Sequence, residues 1–379
     1  MILGAFTSLL GVGGVERMAR HSAAVLVSIS QDRGEPYRLL GLNDPPGRHR
    51  IEVGGLAFDI HGFGRRKTKF AWSVFAAAPR TSVAYLGHPQ RAPLGLMFRV
   101  LRPAARYRVA VHVHGIEAWK RLSFMRRLGL RLADTVTASS EFTMGKAITI
   151  QKSDPHKTTV LAPALEPGFR NMIGDRKGPT VYVPSQKVLL TVARLDAVDE
   201  QKGMETVIKA LPIILSVVPE ACYVIIGDGN DRERLERLSA ETGVKHRVVV
   251  AGRRTDEEMA GYYAGCDVFV MPSRKEGFGI VFVEAMALGK PVIGGDHAGA
   301  HDLIEQGVTG FLVKYNDINA LADRLISLLG NQELRKRMGD AGRKCVENNY
   351  TFEHFRMRLT RALAGNGIRA SNDRFCVSN

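Results

Sequence analysis

Short apolar runs alternate with amphipathic stretches through the second half of this 379-residue chain. Parallel strands need long crossover connections, so this alternation predicts βαβ units and a parallel sheet covered by helices on both faces. The predicted strands are Val188–Ala193, Tyr223–Gly227, Val248–Gly252, Val268–Met271, Pro291–Gly294 and Phe311–Val313. The predicted helices cover 203–217, 230–242, 256–264, 281–288, 301–306, 317–329, 331–348 and 352–363.

Weaker signals of the same kind run through the first half. Ile2–Thr7 is a predicted strand, and Val15–Ser28 is a predicted helix that begins after a glycine pair. A chain of this length with 45% hydrophobic residues can bury two cores. We therefore expect a Rossmann-like first domain over 1–180, a second over 181–363, and a flexible tail over 364–379. The other predicted elements are strands Arg38–Leu42, Val83–Leu86, Arg108–His114 and Val136–Ser139 and helix Arg121–Ala133.

The positive charge of the chain lies almost entirely in its first half. Residues 1–187 hold 28 Lys/Arg against 12 Asp/Glu, a net charge of +16, whereas residues 188–379 have a net charge of −1. Over 60–131 there are fifteen basic residues and one acid, Glu117. A field of one sign attracts a polyanion: nucleic acid, an anionic lipid surface or a phosphate-bearing substrate. A basic face that is only solvated would have the same composition.

Apolar and arginine side chains are mixed within this basic stretch. Such a mixture can place apolar groups at the headgroup boundary of an anionic membrane, or the apolar residues can be core. The chain opens on Ile2–Phe6 with no basic segment and cleavage site, and no apolar run approaches the ~20 residues of a spanning helix. Cys222 and Cys266 suit reduced, buried thiols. We expect a cytoplasmic protein, peripheral at the inner face of the cell membrane. The residues of the mixture are Leu94, Leu96, Met97, Phe98, Val100 and Leu101 among Arg91, Arg99, Arg102, Arg106 and Arg108.

Two carboxylates and two glycines come after the predicted strand Val268–Met271. Glu276 lies in the loop, and Glu284 lies eight residues later in the next helix. Gly277 and Gly279 allow close approach of the backbone to a ligand, and a helix start offers N–H groups to a phosphate. Carboxylates beside an anion site make sense if each accepts a hydrogen bond from a hydroxyl, one of a sugar and one of a ribose. Two solvated acids would show the same spacing.

A pair of cations comes after the predicted strand Val188–Ala193. Arg194 lies directly after this strand, and Lys202 precedes the glycine that opens the next helix. Ligands of open parallel sheets bind at the carboxyl ends of the strands, so both cations can reach the same ligand as Glu276. Charge-assisted hydrogen bonds from such cations neutralise a diphosphate. In an isolated loop two cations would more often be surface residues; the edge shared with Glu276 favours a site.

The order of these motifs resembles that of retaining GT-B glycosyltransferases of family 4. The resemblance is dense over 186–363 and thinner in the first half. It implies a GT-B fold, with two Rossmann-like parallel-sheet domains facing a cleft. In the first half, Gly13–Met18 is similar to the first glycine loop of the family, His114–Trp119 to a motif of a bacterial polysaccharide-assembly branch, and Ser139–Thr143 to the strand and loop near the hinge. In the second half the motifs are Arg194-Leu195, Lys202-Gly203, Gly227–Gly229, Val268–Ser273, Glu276–Gly279, Glu284–Ala287, Gly289–Ile293 and Thr309-Gly310.

The resemblance also implies a role for each matching residue. Arg194 and Lys202 would hold the donor diphosphate, Glu276 a hydroxyl of the transferred sugar, and Glu284 the ribose. His114 would face the reacting sugar, with His112 as its buried partner on the same strand face. The loop at Gly14 would close on the donor. Backbone groups would meet the sugar and phosphates at Gly277, Phe278, Gly279, Ile280 and Val281.

The sequence departs from the family pattern in two places. Ala162–Ala164 stands where the family often has Pro-Asn-Gly, and Ala298–Asp302 stands for its Gly-Gly-x-x-Glu loop, with Asp302 as a possible replacement for the glutamate. There is no Asp-x-Asp triplet. We therefore expect no metal and no cofactor, with the diphosphate neutralised by Arg194 and Lys202.

The resemblance implies a retaining hexosyltransferase that uses a nucleotide-diphosphate sugar, which is a substrate. The expected acceptor is a glycan or lipid-linked molecule in cell-surface polysaccharide biosynthesis. A GT-B sugar phosphorylase and a nucleotide-sugar epimerase are alternatives. A nucleic-acid-binding protein is a weaker one, because the basic stretch has neither an RNA-binding aromatic signature nor zinc-finger spacing.

Overall fold

The computed structural model describes residues 1–101, 107–169, 186–196 and 201–365. The chain divides into two compact units. The first unit contains Met1–Pro167 and also the segment that begins at Tyr350, which includes the last described helix. The second contains Gly168–Asn349.

The first unit is built on an eight-stranded sheet with the order β3-β4-β2-β1-β5-β6-β7-β8. Neighbouring strands are parallel except for the β3–β4 hairpin at one edge. The strands are β1 (Ile2–Phe6), β2 (Tyr37–Gly41), β3 (Gly47–Val53), β4 (Leu56–Gly62), β5 (Val83–Leu86), β6 (Arg108–Val113), β7 (Thr135–Ala138) and β8 (Thr158–Val160). The helices are α1 (Gly14–Asp32), α2 (Lys67–Ala77), α3 (Ala92–Leu101), α4 (Phe124–Arg131), α5 (Glu141–Thr149) and, from the chain end, α12 (Phe352–Ala364).

Helices cover both faces of this sheet, which is why its central strands are apolar on both sides. All five residues of β1 are buried. Ile2 and Phe6 belong to a core shared with α1 and α12. Leu3 and Ala5 belong to a second core shared with α2, α3 and α4. The two helical layers therefore lie on opposite faces of the sheet.

The second unit is a six-stranded, fully parallel sheet with the order β11-β10-β9-β12-β13-β14. Its strands are β9 (Lys187–Val192), β10 (Ala221–Ile226), β11 (Val248–Gly252), β12 (Val268–Met271), β13 (Val292–Gly295) and β14 (Gly310–Val313). Its helices are α6 (Met204–Val217), α7 (Arg232–Glu241), α8 (Asp256–Gly265), α9 (Ile280–Ala287), α10 (Ile318–Gly330) and α11 (Gln332–Asn349). In this order β9 and β12 are neighbours, so the loops at their carboxyl ends share one edge.

The prediction of two Rossmann-like parallel-sheet domains is confirmed. Several elements differ from prediction, among them α2, α3, α5 and β8, which were not predicted. The β3–β4 hairpin was not predicted, because an outer strand with exposed arginines lacks the apolar run of a central strand. The helix predicted over 301–306 is a short 3₁₀ turn over Ala298–Asp302, where the backbone at Gly299 packs closely on the carbonyl oxygen of Gly277.

The division of the chain also differs from the expected one at its C-terminal side. The helix predicted over 352–363, assigned to the second domain, is α12 and packs against α1 of the first unit. Phe355 and Leu359 complete the core on that face. The expected boundary at 180/181 and the tail beyond residue 365 lie outside the described residues. Among the described helices, none is both long enough and apolar enough to cross a membrane.

Candidate functional site

The loop that carries Arg194 is held tightly at the carboxyl end of β9. The N–H of Ala193 donates to the carbonyl of Ile226 at 3.0 Å, and the N–H of Leu195 donates to that of Asp228 at 3.1 Å. Gly227 has a φ of 149°, and a Cβ there would lie 1.8 Å from the carbonyl oxygen of Ala193. Only glycine therefore permits this approach of the β10 loop. These contacts fix the backbone around Arg194, whose side chain is exposed.

The turn that carries Lys202 is held against the loop after β12. Gly203 caps α6 in the left-handed region with a φ of 82°. A Cβ on this glycine would lie 2.4 Å from the carbonyl oxygen of Pro272. The N–H of Arg274 donates to the carbonyl of Gln201 at 2.6 Å. These backbone contacts hold Gln201 and Gly203, and therefore Lys202 between them, against the loop that precedes α9.

Lys202 and Glu276 form an ion pair at this edge. The Lys202 ammonium donates to Glu276 Oε2 at 2.8 Å, and the two side chains are 19% and 16% exposed. The other carboxylate oxygen, Oε1, accepts from the N–H of Gly277 at 3.1 Å. At this low exposure the pair is screened less by solvent than a surface pair would be. The structure thus brings together two residues that the sequence placed at one strand edge from motifs 74 positions apart.

The predicted backbone donors form the entry to α9. Phe278 is buried, while Ile280 and Val281, the first two residues of the helix, are half-buried. Gly279 caps the helix in the left-handed region with a φ of 91°. The first N–H groups of a helix lack intrahelical acceptors and lie at the positive end of its dipole. This entry is suited to an anion or to sugar hydroxyls.

Glu284 lies deeper than its predicted contact with a ribose suggests. It is 4% exposed, and Oε2 accepts a hydrogen bond of 2.6 Å from the hydroxyl of Tyr263 on α8. Tyr263 is fully buried. This tyrosine was not among the residues predicted from sequence. Only its place in the predicted helix that precedes the motif pointed to it. Tyr263 orients the carboxylate, whose ribose contact stays a prediction.

The first glycine loop is held by a carboxylate that sequence reasoning missed. Asp44 is 1% exposed and lies shortly after β2. It accepts hydrogen bonds from the Ser8 hydroxyl at 2.6 Å, from the N–H of Leu9 at 2.9 and 3.1 Å, and from the N–H of Leu10 at 3.0 Å. The loop leads to exposed Gly14, the first residue of α1. A short Asn-Asp segment after a strand is too common for a sequence to assign this role.

Arg20 braces the same loop from the other side. Its Nη1 donates to the carbonyl of Leu9 at 3.2 Å and to that of Gly11 at 2.9 Å. A side chain of α1 therefore donates hydrogen bonds back to the loop that precedes the helix, close to the N–H groups that donate to Asp44. Asp44 and Arg20 together define the backbone that precedes Gly14.

Three histidines lie at the carboxyl ends of β5 and β6. Fully buried His112 bonds Thr137 through Nδ1 at 2.8 Å and Ser139 through Nε2 at 3.1 Å. His114 lies on the same strand face, with ring centroids 4.4 Å apart. Its ring also lies 5.6 Å from that of His88, which the sequence analysis did not select. The pairing of His112 with His114 as a buried partner is confirmed.

The geometry around His114 assigns its tautomer. Nε2 lies 2.8 Å from the carbonyl oxygen of Gly87, which can only accept, so Nε2 carries the proton and Nδ1 keeps its lone pair. The N–H groups of His114 and Gly115 donate to Glu117 Oε1 at 2.7 and 3.1 Å. Burial lowers the pKa of His114, lowers that of His112 well below its usual value, and lowers that of His88 to about 3. All three rings are neutral near pH 7.

The two departures from the family pattern have different surroundings. Ala162 and Ala164 are buried and offer no side-chain donor. Asp302 ends the 3₁₀ turn and is half-buried, next to His301, whose ring bonds Asp296 at 2.9 Å. Within the described part of the chain, no group of three or more His, Cys, Asp or Glu residues could hold a metal ion.

Known proteins are similar to this chain in sequence and in fold. Residues 179–345 match the family model described as glycosyl transferases group 1. The GDP-mannose-dependent alpha-(1-6)-phosphatidylinositol monomannoside mannosyltransferase of Mycolicibacterium smegmatis is 31% identical over 294 residues, which cover 72% of this chain and 74% of that protein. This chain belongs to the group 1 glycosyltransferases.

Solved structures extend the likeness of this glycosyltransferase to both units. Sucrose-phosphate synthase of Thermosynechococcus elongatus has a TM-score of 0.74 at 21% identity, over 95% of this chain and 97% of that one. Alr3699/HepE of Anabaena, solved in complex with UDP, has a TM-score of 0.74 at 18% identity, over 96% and 100%. At these identities the likeness shows the fold, which is GT-B.

The glycosyltransferase therefore collects its predicted donor residues on one sheet edge. Arg194, Lys202, Glu276 and the start of α9 all come after the neighbouring strands β9 and β12. Gly14 and His114 belong to the first unit, where they come after β1 and β6.

Proposed function

We propose that this enzyme transfers a hexose from a nucleotide-diphosphate sugar to a lipid-linked acceptor, with retention of anomeric configuration. The observation that carries the proposal is the Lys202–Glu276 pair at 2.8 Å, beside Arg194 and the start of α9. Cations and helix N–H groups at one edge match the diphosphate of such a donor, and a carboxylate matches its hydroxyls.

The first candidate donor is GDP-mannose, and the first candidate acceptor is a glycolipid. Both come from the relative of Mycolicibacterium smegmatis, a GDP-mannose-dependent phosphatidylinositol monomannoside mannosyltransferase. The net charge of +16 in residues 1–187 supports work at an anionic membrane surface, at its cytoplasmic face. An acceptor with a lipid anchor would be found there.

The proposed chemistry is electrostatic stabilisation of the leaving nucleotide diphosphate. Arg194 and Lys202 would neutralise the charge that develops as the glycosidic bond breaks, without a metal. Glu276 would accept a hydrogen bond from the transferred sugar and Glu284 one from the ribose. His114, neutral and with a lone pair on Nδ1, would accept a hydrogen bond from a sugar hydroxyl. The acceptor would attack from the side of the leaving phosphate, which can take its proton.

A donor screen followed by product analysis tests the proposal. Thermal shift with GDP-, UDP- and ADP-sugars is expected to select one donor, with GDP-mannose stabilising most. Transfer from that donor to a detergent-solubilised phosphatidylinositol mannoside is expected to yield a product of retained configuration by NMR. An inverted product would contradict the mechanism. Sugar phosphate formed with inorganic phosphate would indicate a phosphorylase, and an epimerised nucleotide sugar without acceptor would indicate an epimerase.

A further inference from the structure

The helices α2, α3 and α4 form one layer over a single face of the first sheet. Phe70, Phe98 and Leu130, one from each helix, are buried in the same core. Helix α3 packs against both α2 and α4. At the α3–α4 crossing a Cβ on Gly129 would lie 2.4 Å from the carbonyl oxygen of Ala92. We call these three helices and the segment that leads into α4 the outer helical layer.

The outer surface of this layer displays large apolar side chains in the folded chain. Trp72 on α2 is 68% exposed and stacks on Phe75 at 5.2 Å. Val100, at the end of α3, is 79% exposed, and Phe124 and Met125, at the start of α4, are 74% and 50% exposed. Leucines at the ends of α3 and α4 add to them. Several exposed apolar groups on the helices of one layer indicate an interaction surface.

Exposed cations lie on the same helices and on the segments that border them, and carboxylates are almost absent. Glu117 is the one acid over 60–131, and its Oε1 is turned to the N–H groups of His114 and Gly115. The next acid along the chain, Asp134, bonds Arg99 at 2.7 Å. The exposed cations of the layer and its borders are Arg65, Arg66, Lys67, Lys69, Lys120, Arg121 and Arg131.

We propose that the outer helical layer is the membrane-docking face of the enzyme, with Trp72, Val100, Phe124 and Met125 inserted at the headgroup level of an anionic bilayer. The inference deepens the proposed function and rests on it for the acceptor. Amphipathic helices that lie in the plane of a membrane combine an apolar side with flanking Lys and Arg, as this layer does. Tryptophan is favoured at that depth because its ring is amphipathic.

An anionic membrane fits this surface better than nucleic acid does. A nucleic-acid site would pair the cations with aromatic rings placed for stacking on bases. Here the ring of Trp72 already stacks on Phe75, and the exposed side chains of Val100 and Met125 have no aromatic ring that could stack on a base. Phosphate-bearing headgroups satisfy the cations, while the acyl boundary takes up the apolar side chains.

The structure also decides which arginines can test the face. Changing Arg99, Arg102 and Arg106 to glutamate is the test that the sequence suggests, but Arg99 also donates to the Leu132 carbonyl at 3.0 Å besides its pair with Asp134. A glutamate there would oppose Asp134 and disturb the fold. Arg102 and Arg106 lie outside the described residues. Exposed Lys120, Arg121 and Arg131 are the suitable positions.

The experiment is flotation of the full-length enzyme with vesicles of phosphatidylcholine alone or with phosphatidylglycerol. The unchanged protein is expected to bind the anionic vesicles at low salt, to dissociate steeply as salt rises, and to bind neutral vesicles weakly. Trp72→Ala with Phe124→Ala and Met125→Ala, and separately Lys120→Glu with Arg121→Glu and Arg131→Glu, are each expected to weaken binding at least ~10-fold, or about 1.4 kcal/mol.

Matched controls come from exposed positions of the second unit. Val217→Ala and Val308→Ala remove exposed apolar groups, and Lys209→Glu and Lys344→Glu reverse exposed charges. These variants are expected to float like the unchanged protein. The docking face would be overturned if the control variants lost as much binding as the test variants, or if the protein bound neutral and anionic vesicles equally. It would also be overturned if the protein bound no vesicles at low salt. Release from the vesicles by single-stranded DNA, added at the same phosphate charge as the anionic lipid, would overturn it as well.

The donor assay keeps this proposal separate from the proposed function. Thermal shift by the selected sugar nucleotide, measured without vesicles, is expected to be the same in all variants, since none carries a predicted donor residue. Vesicle binding without any donor response would leave the face standing and refute the enzyme proposal. A donor response and transfer to detergent-solubilised acceptor without vesicle binding would refute the face alone.

Discussion

The two sheets of this glycosyltransferase share a parallel plan but differ in the side chains at the carboxyl ends of their strands. In the second unit the carboxyl edge carries charge: the Lys202–Glu276 pair and exposed Arg194. In the first unit the carboxyl end of β6 carries neutral imidazoles, His112 and His114. We predict that the edge of the second unit binds an anion and that the end of β6 binds uncharged hydroxyls.

If that prediction holds, one backbone plan serves two tasks. Charged side chains at the second edge keep partial contact with water, which limits the cost of holding them. Imidazoles at the first edge are buried, and burial keeps them neutral. A neutral imidazole binds a hydroxyl without attracting phosphate, so the first edge would not compete for the diphosphate. Variants at each edge can test whether this division holds.

The largest expected effect is at the charged edge. Lys202→Ala and, separately, Arg194→Ala should each lower turnover at least ~100-fold, equivalent to roughly 2.7 kcal/mol of lost transition-state stabilisation. Steady-state assays with the selected donor measure it. Lys209→Ala, an exposed lysine on α6, is the control and should leave turnover unchanged. Turnover close to that of the unchanged enzyme in both variants would remove the two cations from the site.

The charged edge was also the part of the site most accessible from sequence. Its strands are buried apolar runs, so their ends could be located, and Arg194, Lys202 and Glu276 all stand in the connections between those strand ends and the next helices. These residues come together because β9 lies beside β12 in the sheet. The βαβ pattern alone does not predict that strand order. The hydrogen bond from Tyr263 to Glu284 was out of reach, because it joins two helices whose packing is tertiary.

A second, smaller effect is expected where Asp44 holds the first glycine loop. Asp44→Asn replaces one acceptor oxygen by an amide group that faces the N–H groups of Leu9 and Leu10. If the loop acts on the donor, kcat/KM should fall ~10-fold, about 1.4 kcal/mol. The thermal midpoint should drop as well, because buried donors lose an acceptor.

Two comparisons separate positioning from folding in the Asp44 variant. Asp59→Asn, which breaks an exposed pair with Arg48, should leave kcat/KM unchanged. An Asp44→Asn enzyme assayed well below its thermal midpoint should still show the loss, mainly in KM for the donor. Full activity at that temperature would assign Asp44 to folding alone.

The first unit was harder to predict for a physical reason. Asp44 acts on backbone N–H groups more than thirty residues away, and such contacts leave no spacing in the sequence. The β3–β4 hairpin is charged on its outer strand, and α12 returns from the chain end to pack on α1. His112 and His114 were predictable together, because strand alternation puts residues two apart on one face.

The neutral histidines predict a pH dependence of stability. For His88 the pKa is about 3 in the folded chain and near 6.5 when unfolded, so above ~pH 6.5 neither state binds the proton. Between these values the unfolded state binds it and the folded state does not, so stability falls as pH falls, by at most ~1.4 kcal/mol per pH unit. His88→Asn keeps an acceptor for the N–H of Gln90 and removes this contribution.

Urea unfolding at pH 7.5, 6.5, 5.5 and 4.5 measures the effect. The free energy of unfolding of the unchanged protein should fall faster below pH 6.5 than that of His88→Asn, so the unchanged protein should lose stability relative to the variant. Comparing the two proteins cancels the contribution of carboxylates. Parallel curves over the whole range would contradict a buried, neutral His88.

The smallest effect is expected from metal removal, which tests whether side-chain cations alone serve the charged edge. Three carboxylates near it, among the residues that the structure describes, have side-chain partners: Glu276 with Lys202, Glu284 with Tyr263 and Asp231 with Arg234. Mg²⁺ or Mn²⁺ at a diphosphate needs one or two carboxylates in addition to phosphate oxygens. EDTA should therefore change turnover of the unchanged enzyme less than ~2-fold, because these three carboxylates already have partners. Activity lost in EDTA and restored by Mn²⁺ would show that the charged edge works through a metal.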